Sequence, residues 1–545
     1  AVFRTADVVG LDTLMHVAQN CYDGLPDDPQ QDVFNPKGIL TRMVEKGLLG
    51  QKSRAGFTRK EKGKFQTLEF DSLEYRETQK PDLPVLKSLR GLADPGQRLA
   101  KLLEDKGRAG EFAWKVISAD LAYTASIAEE IADDLVNIDR AVCWGFNWEI
   151  GPFAAWQAIG VEESVKRMRA EGLTLPAWID DAIAAGGFYS ADGSQAFVPG
   201  KGMQPTPEIP GQLSIAAVRQ SQGPVEENES ASLFDIGDGI ACVEFHTKAN
   251  AIDPGMIEFL ERACDIVEEG YDGMVIANEG VHFSAGANLA LILQHIKAKE
   301  FDAVEQVSKG LQDVCQRLKY LSKPVVTAPH GQVVGGGCEV AMAGDRMMVA
   351  QETYMGLVEV GVGLIPAGGG CLNLLKRAMT GIPTTATCDR LTIIQKPFET
   401  IALAKVAMGG LEVFKAGFGS AVDELYINSD RNTSDAKKLA RYLADRGYTP
   451  PAQADNLILP GRGGSAAFAN YVDGLVHGGF ASEHDAKIAG HVARVLCGGE
   501  TNGRVAVSEQ QILDLERESF MILCGEPMSV DRIEHMVTKN KPLRN

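Results

Sequence analysis

Gly331-Gln-Val-Val-Gly-Gly-Gly-Cys-Glu339 joins a short apolar run, Pro324–Pro329, to a segment with helical spacing. Three glycines at a strand-to-helix turn leave backbone N–H groups uncovered by any Cβ, and the dipole of the following helix favours negative charge there. Two such N–H groups can hold a developing oxyanion. Glu339 follows Gly336 by three residues, so the first helical turn would place its carboxylate beside the same opening.

Two further segments have a similar character. His282-Phe-Ser-Ala-Gly-Ala-Asn-Leu289 is a turn of small residues that enters a helical pattern, and Tyr354-Met-Gly-Leu-Val-Glu359 precedes the glycine triplet Gly368–Gly370. Taken alone, a glycine triplet is usually a tight turn and a single glutamate on a helix is usually solvated. The ordered combination of all three segments is what predicts a common site.

The residues around these segments alternate between strand and helix patterns. Such alternation is typical of an α/β domain. The predicted strands are Gly239–Phe245, Gly273–Ala277 and Pro324–Pro329, and the predicted helices are Pro254–Glu269 and Leu289–Leu321.

The first 200 or so residues contain an internal repeat. Phe3 and Gly10 recur with the same spacing as Phe153 and Gly160. Apolar residues at helical spacing that end at a glycine indicate helices, so we predict a duplicated helical block. Two later pairs follow in the same order: Ile39–Gly47 with Trp178–Gly186, and Gly56-Phe57 with Gly187-Phe188.

Composition excludes several functional classes. The chain has 545 residues, of which 54 are basic and 73 acidic, giving a net charge of −19 that argues against a nucleic-acid surface. No segment approaches the ~20 consecutive apolar residues of a membrane span. The ten cysteines form no C-x-x-C pair. We therefore predict free thiols, no metal site, and a cytoplasmic location or another reducing compartment such as an organelle matrix.

The three glycine-containing segments together resemble the crotonase (enoyl-CoA hydratase/isomerase) family over about residues 230–400. The resemblance implies a ββα spiral fold, an acyl-CoA thioester substrate, and an oxyanion hole formed by the N–H groups of Ala287 and Gly336. It further implies that Glu339 is the catalytic base and Glu359 the catalytic acid. Substrate contacts would come from flanking residues, namely Ser284, Ala285, Gly286, Asn288, Leu289 and Gly335.

Two glutamates favour hydration over isomerisation, because family members that only shift a double bond often keep a single one. An acid that works near neutral pH needs a raised pKa, which burial beside a second carboxylate would supply. The chain departs from the family pattern at Asn288, where aspartate is common, and at Val358, where proline is frequent. Neither departure touches the proposed proton-transfer atoms.

The N-terminal part resembles the paired C-terminal helical domains of 3-hydroxyacyl-CoA dehydrogenases, through Val8–Asp12, Met43–Gly50, Gly56-Phe57 and Trp144–Phe153. In that family an upstream Rossmann domain binds NAD and carries the catalytic His–Glu pair. We find no G-x-G-x-x-G between a strand and a helix, so we expect no hydride transfer from this chain. The first repeat copy begins at the first residue, so we expect a longer protein to supply the NAD-binding domain.

These observations predict a multidomain α + α/β fold in which all-helical dehydrogenase-type domains precede a crotonase-type domain and a helical tail. Ser508-Glu-Gln-Gln511 is a capping-box pattern that opens a tail helix with Ile512, Leu515, Ser519 and Ile522 on its apolar stripe, and Gly525 ends it. The predicted boundaries are 1–65 for a truncated first helical domain, 66–200 for the second, 201–232 for a linker, 233–430 for the crotonase-type domain and 431–545 for the tail.

The resemblance as a whole implies a bifunctional fatty-acid β-oxidation enzyme that hydrates trans-2-enoyl-CoA to 3-hydroxyacyl-CoA. Two alternatives stay open: an enoyl-CoA isomerase, and a catalytically silent scaffold for a dehydrogenase. A homo-oligomer and a thiolase partner are compatible with this resemblance, whereas a nucleic-acid partner and a transmembrane segment are not expected.

Overall fold

The computed structural model describes residues 2–79, 81–92, 94–503 and 505–545. The chain forms two compact units, Ala1–Pro207 (unit 1) and Glu208–Asn545 (unit 2). Each unit buries hydrophobic clusters of its own. Within the described residues, no helix is both long enough and apolar enough to cross a membrane.

Unit 1 is built mainly from helices, as its apolar spacing predicts. Two clusters form its core, one around Leu11 and Met43 and a larger one around Trp156 and Phe188. Its helices are α1 (Val2–Val9), α2 (Leu11–Gly24), α3 (Ile39–Glu45), α4 (Pro84–Ser88), α5 (Pro95–Leu103), α6 (Arg108–Ile131), α7 (Leu135–Phe146), α8 (Pro152–Ile159), α9 (Val161–Ala170) and α10 (Trp178–Ala184).

The predicted internal repeat is confirmed by a shared pair of helices. In both copies one glycine with positive φ joins two successive helices: Gly10 (φ 105°) lies between α1 and α2, and Gly160 (φ 88°) between α8 and α9. This backbone region is open to glycine at little cost, which explains why the residue recurs.

The repeat also preserves a hydrogen bond between distant segments. In the first copy the Asp7 carboxylate accepts from the Phe57 N–H at 2.7 Å, and in the second the Gln157 side-chain oxygen accepts from the Phe188 N–H at 2.7 Å. The preceding glycine leaves room for this oxygen, because a Cβ on Gly56 would lie 2.1 Å from Asp7 Oδ1. Duplication therefore explains the sequence match.

Unit 1 is not all-helical, so that part of the prediction is wrong. A two-residue turn with positive φ at Lys62 (49°) and Gly63 (82°) pairs two strands antiparallel. Turns of this geometry match the twist of a hairpin, and the Lys-Gly pair was the overlooked signal. The strands are β1 (Thr58–Glu61), β2 (Lys64–Leu68), β3 (Tyr75–Glu77), β4 (Gln195–Val198) and β5 (Gly202–Pro205).

Unit 2 contains a seven-stranded sheet in the order β14-β12-β10-β9-β8-β7-β6, together with a separate parallel pair, β11 and β13. The pairs from β8 to β14 are parallel, whereas β6, β7 and β8 pair antiparallel. Its strands are β6 (Glu226–Glu227), β7 (Ala231–Asp235), β8 (Ile240–Phe245), β9 (Gly273–Ile276), β10 (Val325–Thr327), β11 (Gly331–Val334), β12 (Arg346–Ala350), β13 (Thr353–Gly356), β14 (Glu424–Tyr426), β15 (Leu457–Ile458) and β16 (Ala506–Val507).

Helices surround this sheet. The single long helix predicted over Leu289–Leu321 is two helices, and Lys299 between them has a left-handed backbone conformation. The helices are α11 (Ile215–Gln222), α12 (Pro254–Gly270), α13 (Leu289–Ala298), α14 (Phe301–Lys319), α15 (Gly336–Ala343), α16 (Gly370–Met379), α17 (Arg390–Ala402), α18 (Gly410–Ala416), α19 (Asn432–Asp445), α20 (Gly461–His477), α21 (Glu483–Leu496), α22 (Glu509–Cys524) and α23 (Pro527–Lys539).

The segment expected to be a linker, 201–232, contains regular structure. Helix α11 begins at Ile215 because Ser214 caps it and because the Glu279 carboxylate accepts from the N–H groups of Ile215 and Ala216. Pro205, Pro207 and Pro210 precede this helix and Pro224 follows it, so none of them breaks a helical hydrogen bond.

The helical tail is part of the core of unit 2. Ala436 and Ala440 of α19 pack against the sheet beside Val275 and Val326, and later helices share the largest hydrophobic cluster of the unit. The cysteines are free thiols, as predicted. Because the tail helices pack into this core, residues far in sequence from the glycine-containing segments can line a site in unit 2.

Candidate active site

Two loops meet at the opening predicted from the glycine triplet. The loop after β9 pairs with Ile252, which donates to the Gly286 carbonyl at 2.8 Å and accepts from the Asn288 N–H at 3.0 Å. This pattern places Ala287 between the two bonds, with its own N–H directed away from Ile252. The Ser284–Val333 bridge ties the same loop to β11, which leads into α15.

The N–H groups of Ala287 and Gly336 lie close together. A Cβ on Gly336 would be 3.5 Å from the Ala287 nitrogen, and one on Gly286 would be 3.5 Å from the Gly336 nitrogen. Gly336 is the first residue of α15, where backbone N–H groups have no partner within the helix. Neither N–H donates to a backbone carbonyl of the described residues. The pair can therefore donate to a ligand oxygen.

Glu339 lies on the first turn of α15, as predicted, and is 2% exposed. Its Oε1 accepts from the N–H groups of Gly368 (2.7 Å) and Gly370 (2.8 Å). Burial raises the pKa of this carboxyl to about 7, and the two backbone hydrogen bonds partly oppose that rise. The approach needs glycine, because a Cβ on Gly370 would lie 2.9 Å from Glu339 Oε1.

Glu359 begins a 3₁₀ turn after β13, and its Oε2 is inaccessible and has no hydrogen-bond partner among the described residues. Burial raises the pKa of Glu359 well above its ordinary value, and the charge of Glu339 raises it further. Its Oε1 lies 3.2 Å from where a Cβ on Gly335 would be. Gly335 itself has φ 55°, so glycine is favoured there on two grounds.

These groups line one cavity of about 70 Å³. Ala287, Leu289, Gly336, Glu339 and Glu359 all contribute to its wall. The rest of the wall is largely apolar and includes Ile292, Val304, Val307, Leu311, Val362, Leu364, Ile365 and Phe520. An apolar wall with a few convergent polar groups is the usual character of a small-molecule site.

The remaining residues predicted to contact substrate support the two loops and are not part of the cavity wall. Ser284 is fully buried and donates to the Asn250 carbonyl at 2.7 Å. Ala285 donates its N–H to the Ala249 carbonyl, and Gly286 takes the positive φ (90°) of the turn. Asn288 caps α13, since its Oδ1 accepts from the Leu291 N–H at 3.2 Å. Cap formation explains why asparagine is tolerated there.

Sequence reasoning missed a third buried carboxyl, Glu516 on α22. Its side chain is fully buried, with Oε2 accepting from the Gly369 N–H (3.0 Å) and Oε1 from the Leu372 N–H (2.8 Å). Burial, and then the charge of Glu339, raise the pKa of Glu516 well above its ordinary value. The available signal was its position four residues after Ile512 and four before Phe520, on one helical face.

Two family models match parts of the chain. Residues 235–382 match the family model for enoyl-CoA hydratase/isomerase, and residues 1–60 match that for the C-terminal domain of 3-hydroxyacyl-CoA dehydrogenase. A crystal structure of an enoyl-CoA hydratase/isomerase from Xanthobacter autotrophicus Py2 is 18% identical, with a TM-score of 0.38, and covers 57% of this chain and 94% of its own.

Two longer relatives match almost the whole chain. A probable 3-hydroxyacyl-CoA dehydrogenase of Bacillus subtilis (strain 168) is 38% identical over 552 residues, which cover 100% of this chain and 69% of that protein. A putative fatty acid oxidation complex trifunctional enzyme of Rickettsia felis is 24% identical over 544 residues, covering 98% of this chain and 67% of that protein. The chain thus spans about two thirds of the length of these relatives.

The sheet, the two loops and the family match define residues 235–382 as an enoyl-CoA hydratase/isomerase domain of the crotonase type. Because the 38% identity extends over the entire chain, the chain belongs to the family of 3-hydroxyacyl-CoA dehydrogenases that carry this second domain.

The described strands of unit 1 pair antiparallel, whereas a dinucleotide-binding fold is built on a parallel βαβ unit with a glycine-rich turn.

Proposed function

We propose that the cavity of unit 2 hydrates trans-2-enoyl-CoA to 3-hydroxyacyl-CoA by syn addition of water. The thioester oxygen accepts from the N–H groups of Ala287 and Gly336. Glu339 takes a proton from water as the water oxygen bonds to C3, and the electrons of the C2–C3 double bond move into a thioester enolate. Glu359 then donates a proton to C2. The two donors stabilise the enolate oxygen, where negative charge develops.

The observation that carries this proposal is that a single cavity is lined by two carboxyls and by two main-chain N–H groups that have no acceptor among the described residues. The causes of the two pKa shifts support the division of roles. Burial raises the pKa of Glu339 to about 7, and two backbone hydrogen bonds oppose the rise and favour its carboxylate form. For Glu359 the charge of Glu339 adds to the effect of burial, which favours the protonated form. A base and an acid matched to the working pH are what efficient proton transfer requires.

The proposal is tested by turnover of crotonyl-CoA, which is measured as the loss of absorbance of its conjugated thioester. We expect Glu339→Gln and Glu359→Gln each to lower kcat by on the order of 10²–10⁴. Glu352→Gln is the matched control, because Glu352 is an exposed glutamate close to Glu359 in sequence. A loss of less than about tenfold in either variant would contradict the assigned roles.

The same assay separates the alternatives. Conversion of a 3-enoyl-CoA to the 2-enoyl isomer without incorporation of ¹⁸O from labelled water would indicate an isomerase. Binding of acyl-CoA without turnover would indicate a scaffold. Incorporation of ¹⁸O at C3 supports hydration.

In a wider context we propose that this reaction belongs to fatty-acid β-oxidation, as the name of the Rickettsia felis relative suggests. NAD-dependent oxidation of the hydrated product stays a prediction for a longer protein, as do a homo-oligomer and a thiolase partner.

A further inference from the structure

The turn 368–372 binds two carboxyl groups through different backbone N–H groups. Its first and third N–H groups, from Gly368 and Gly370, donate to Glu339 Oε1 at 2.7 and 2.8 Å. The N–H groups of Gly369 and Leu372 donate to Glu516 at 3.0 and 2.8 Å. Each carboxyl group therefore helps to hold the turn in the orientation in which the other one is bound.

Glu516 is well placed to fix this turn. It projects from the middle of α22, far from the turn in sequence, and both of its carboxyl oxygens are used by backbone donors. Gln312 on α14 lowers the pKa of the same carboxyl. The Gln312 side chain donates to the Leu513 carbonyl (2.9 Å) and accepts from Arg517 (2.8 Å). The carboxyl thus lies beside side-chain hydrogen bonds that join two helices.

Packing alone does not account for a carboxyl at this position. Glu516 forms no ion pair among the described residues, since the adjacent Arg517 pairs with Glu305 and Asp514, and a fully buried carboxyl without a cation is costly. The benefit must come from its hydrogen bonds, and the groups it binds are the amides adjacent to those that bind Glu339.

We propose that Glu516 is a positioning residue that fixes the 368–372 turn and thereby aims the Gly368 and Gly370 amides at Glu339. The proposal rests on the proposed role of Glu339 as the base. Glu516 is not part of the cavity wall, so it acts through Glu339 and not on the substrate.

Glu516→Gln tests this role with little change of shape. A glutamine has only one side-chain acceptor oxygen, so it cannot accept from both Gly369 and Leu372. We expect the turn to loosen and the hydrogen bonds to Glu339 to weaken. Because burial and the charge of Glu339 favour the neutral form of Glu516, its exchange for neutral glutamine changes the charge beside Glu339 little. Since the two backbone hydrogen bonds lower the pKa of Glu339, their weakening should raise that pKa by about one unit in the variant.

Infrared titration of the protonated-carboxyl band measures this pKa without turnover. The band of Glu339 is identified as the one lost in a Glu339→Gln background. In crotonyl-CoA hydration, kcat should fall about tenfold with KM changed less than about threefold, and the acid limb of the pH profile should move to higher pH. Glu518→Gln is the control, since Glu518 lies on the same helix and pairs with Arg494 at the surface. We expect it to match the wild type.

The outcomes are distinguishable from failure of the hydratase proposal. If the wild type does not hydrate crotonyl-CoA but the Glu339 band still titrates higher in Glu516→Gln, the hydratase proposal fails and the coupling of the two carboxyls stands. An unchanged or lower pKa of Glu339 overturns the positioning role. Should Glu516→Gln fail to fold, Glu516→Asp keeps both acceptor oxygens on a shorter arm and is held to the same pKa criterion.

Discussion

Gly336 is a position at which one added methyl group should affect the chemistry more than the fold. A Cβ there would be 3.3 Å from the flexible side-chain ends of Ile252 and Leu311 and 3.5 Å from the Ala287 nitrogen. Such contacts can relax by a few tenths of an ångström. The methyl group would nevertheless crowd the space between the two N–H donors.

We therefore expect Gly336→Ala to lower kcat for crotonyl-CoA by on the order of 10²–10³, the usual effect of losing one oxyanion donor. Circular dichroism should stay that of the wild type. Gly490→Ala on α21 is the control, because nothing lies within 4 Å of a Cβ there and alanine favours a helix. Full activity of Gly336→Ala would show that the thioester oxygen binds elsewhere.

The buried Glu359 carboxyl should lower the free energy of unfolding at neutral and higher pH. Its raised pKa means that the folded state penalises the carboxylate, a penalty present above the ordinary pKa near 4.5 and absent below it. Glu359→Gln should therefore raise the free energy of unfolding at pH 8 by on the order of 1 kcal/mol, and the gain should vanish near pH 4. Urea denaturation at both pH values measures this. A less stable variant at pH 8 would contradict the assignment.

At the scale of the helix, α22 shows where sequence patterns succeed and where they stop. The capping box formed by Ser508 and Gln511 is confirmed. The predicted apolar stripe is rotated, because Ile522 is 43% exposed whereas Glu516 and Phe520 are buried. A helical pattern assigns a glutamate to the solvent face, and only the amides of a distant turn make burial of Glu516 tolerable. Gly525 also ends the helix with φ −82°, not in the left-handed conformation expected of a glycine stop.

The capping box gives a test at this scale. Ser508→Ala removes the acceptor of the Gln511 N–H, so we expect a loss of about 1 kcal/mol in the free energy of unfolding. Ser221→Ala is a suitable control, because Ser221 lies exposed inside α11 and caps no helix. An equal effect of the two substitutions would contradict a specific role of the cap.

The strands and the first site residues were more predictable than the tail. Local signals were sufficient for β8, for α12 and for Glu339 on the first turn of α15, since each depends on neighbours in sequence. Family resemblance indicated Ala287 and Glu359, which local patterns alone would have left as turn residues. The helical spacing of Glu516 with Ile512 and Phe520 indicates a buried position, but its contact with the turn spans about 150 residues of chain, which no local pattern contains.

On the scale of the whole molecule, the largest hydrophobic cluster of unit 2 extends from Ala231 to Ile533. The cavity draws on the loop after β9, the start of α15, the turn after β13 and Phe520 of α22. The helices near the C-terminus of unit 2 therefore complete the site, although the family model ends at residue 382. In unit 1 the two repeat copies share the glycine between two helices and the hydrogen bond to the later segment. They differ in burial, since Phe3 is 53% exposed whereas Phe153 is fully buried.

Because Glu339, Glu359 and Glu516 share raised pKa values, the chain should draw protons from the buffer as it folds near pH 7. Buried thiols and tyrosines are protonated both before and after folding at that pH, and Lys319, with a pKa of about 8, releases little. Calorimetric unfolding in phosphate and in Tris, whose ionisation enthalpies differ, should give different apparent heats. Equal heats in the two buffers would mean that these carboxyls stay ionised in the folded protein.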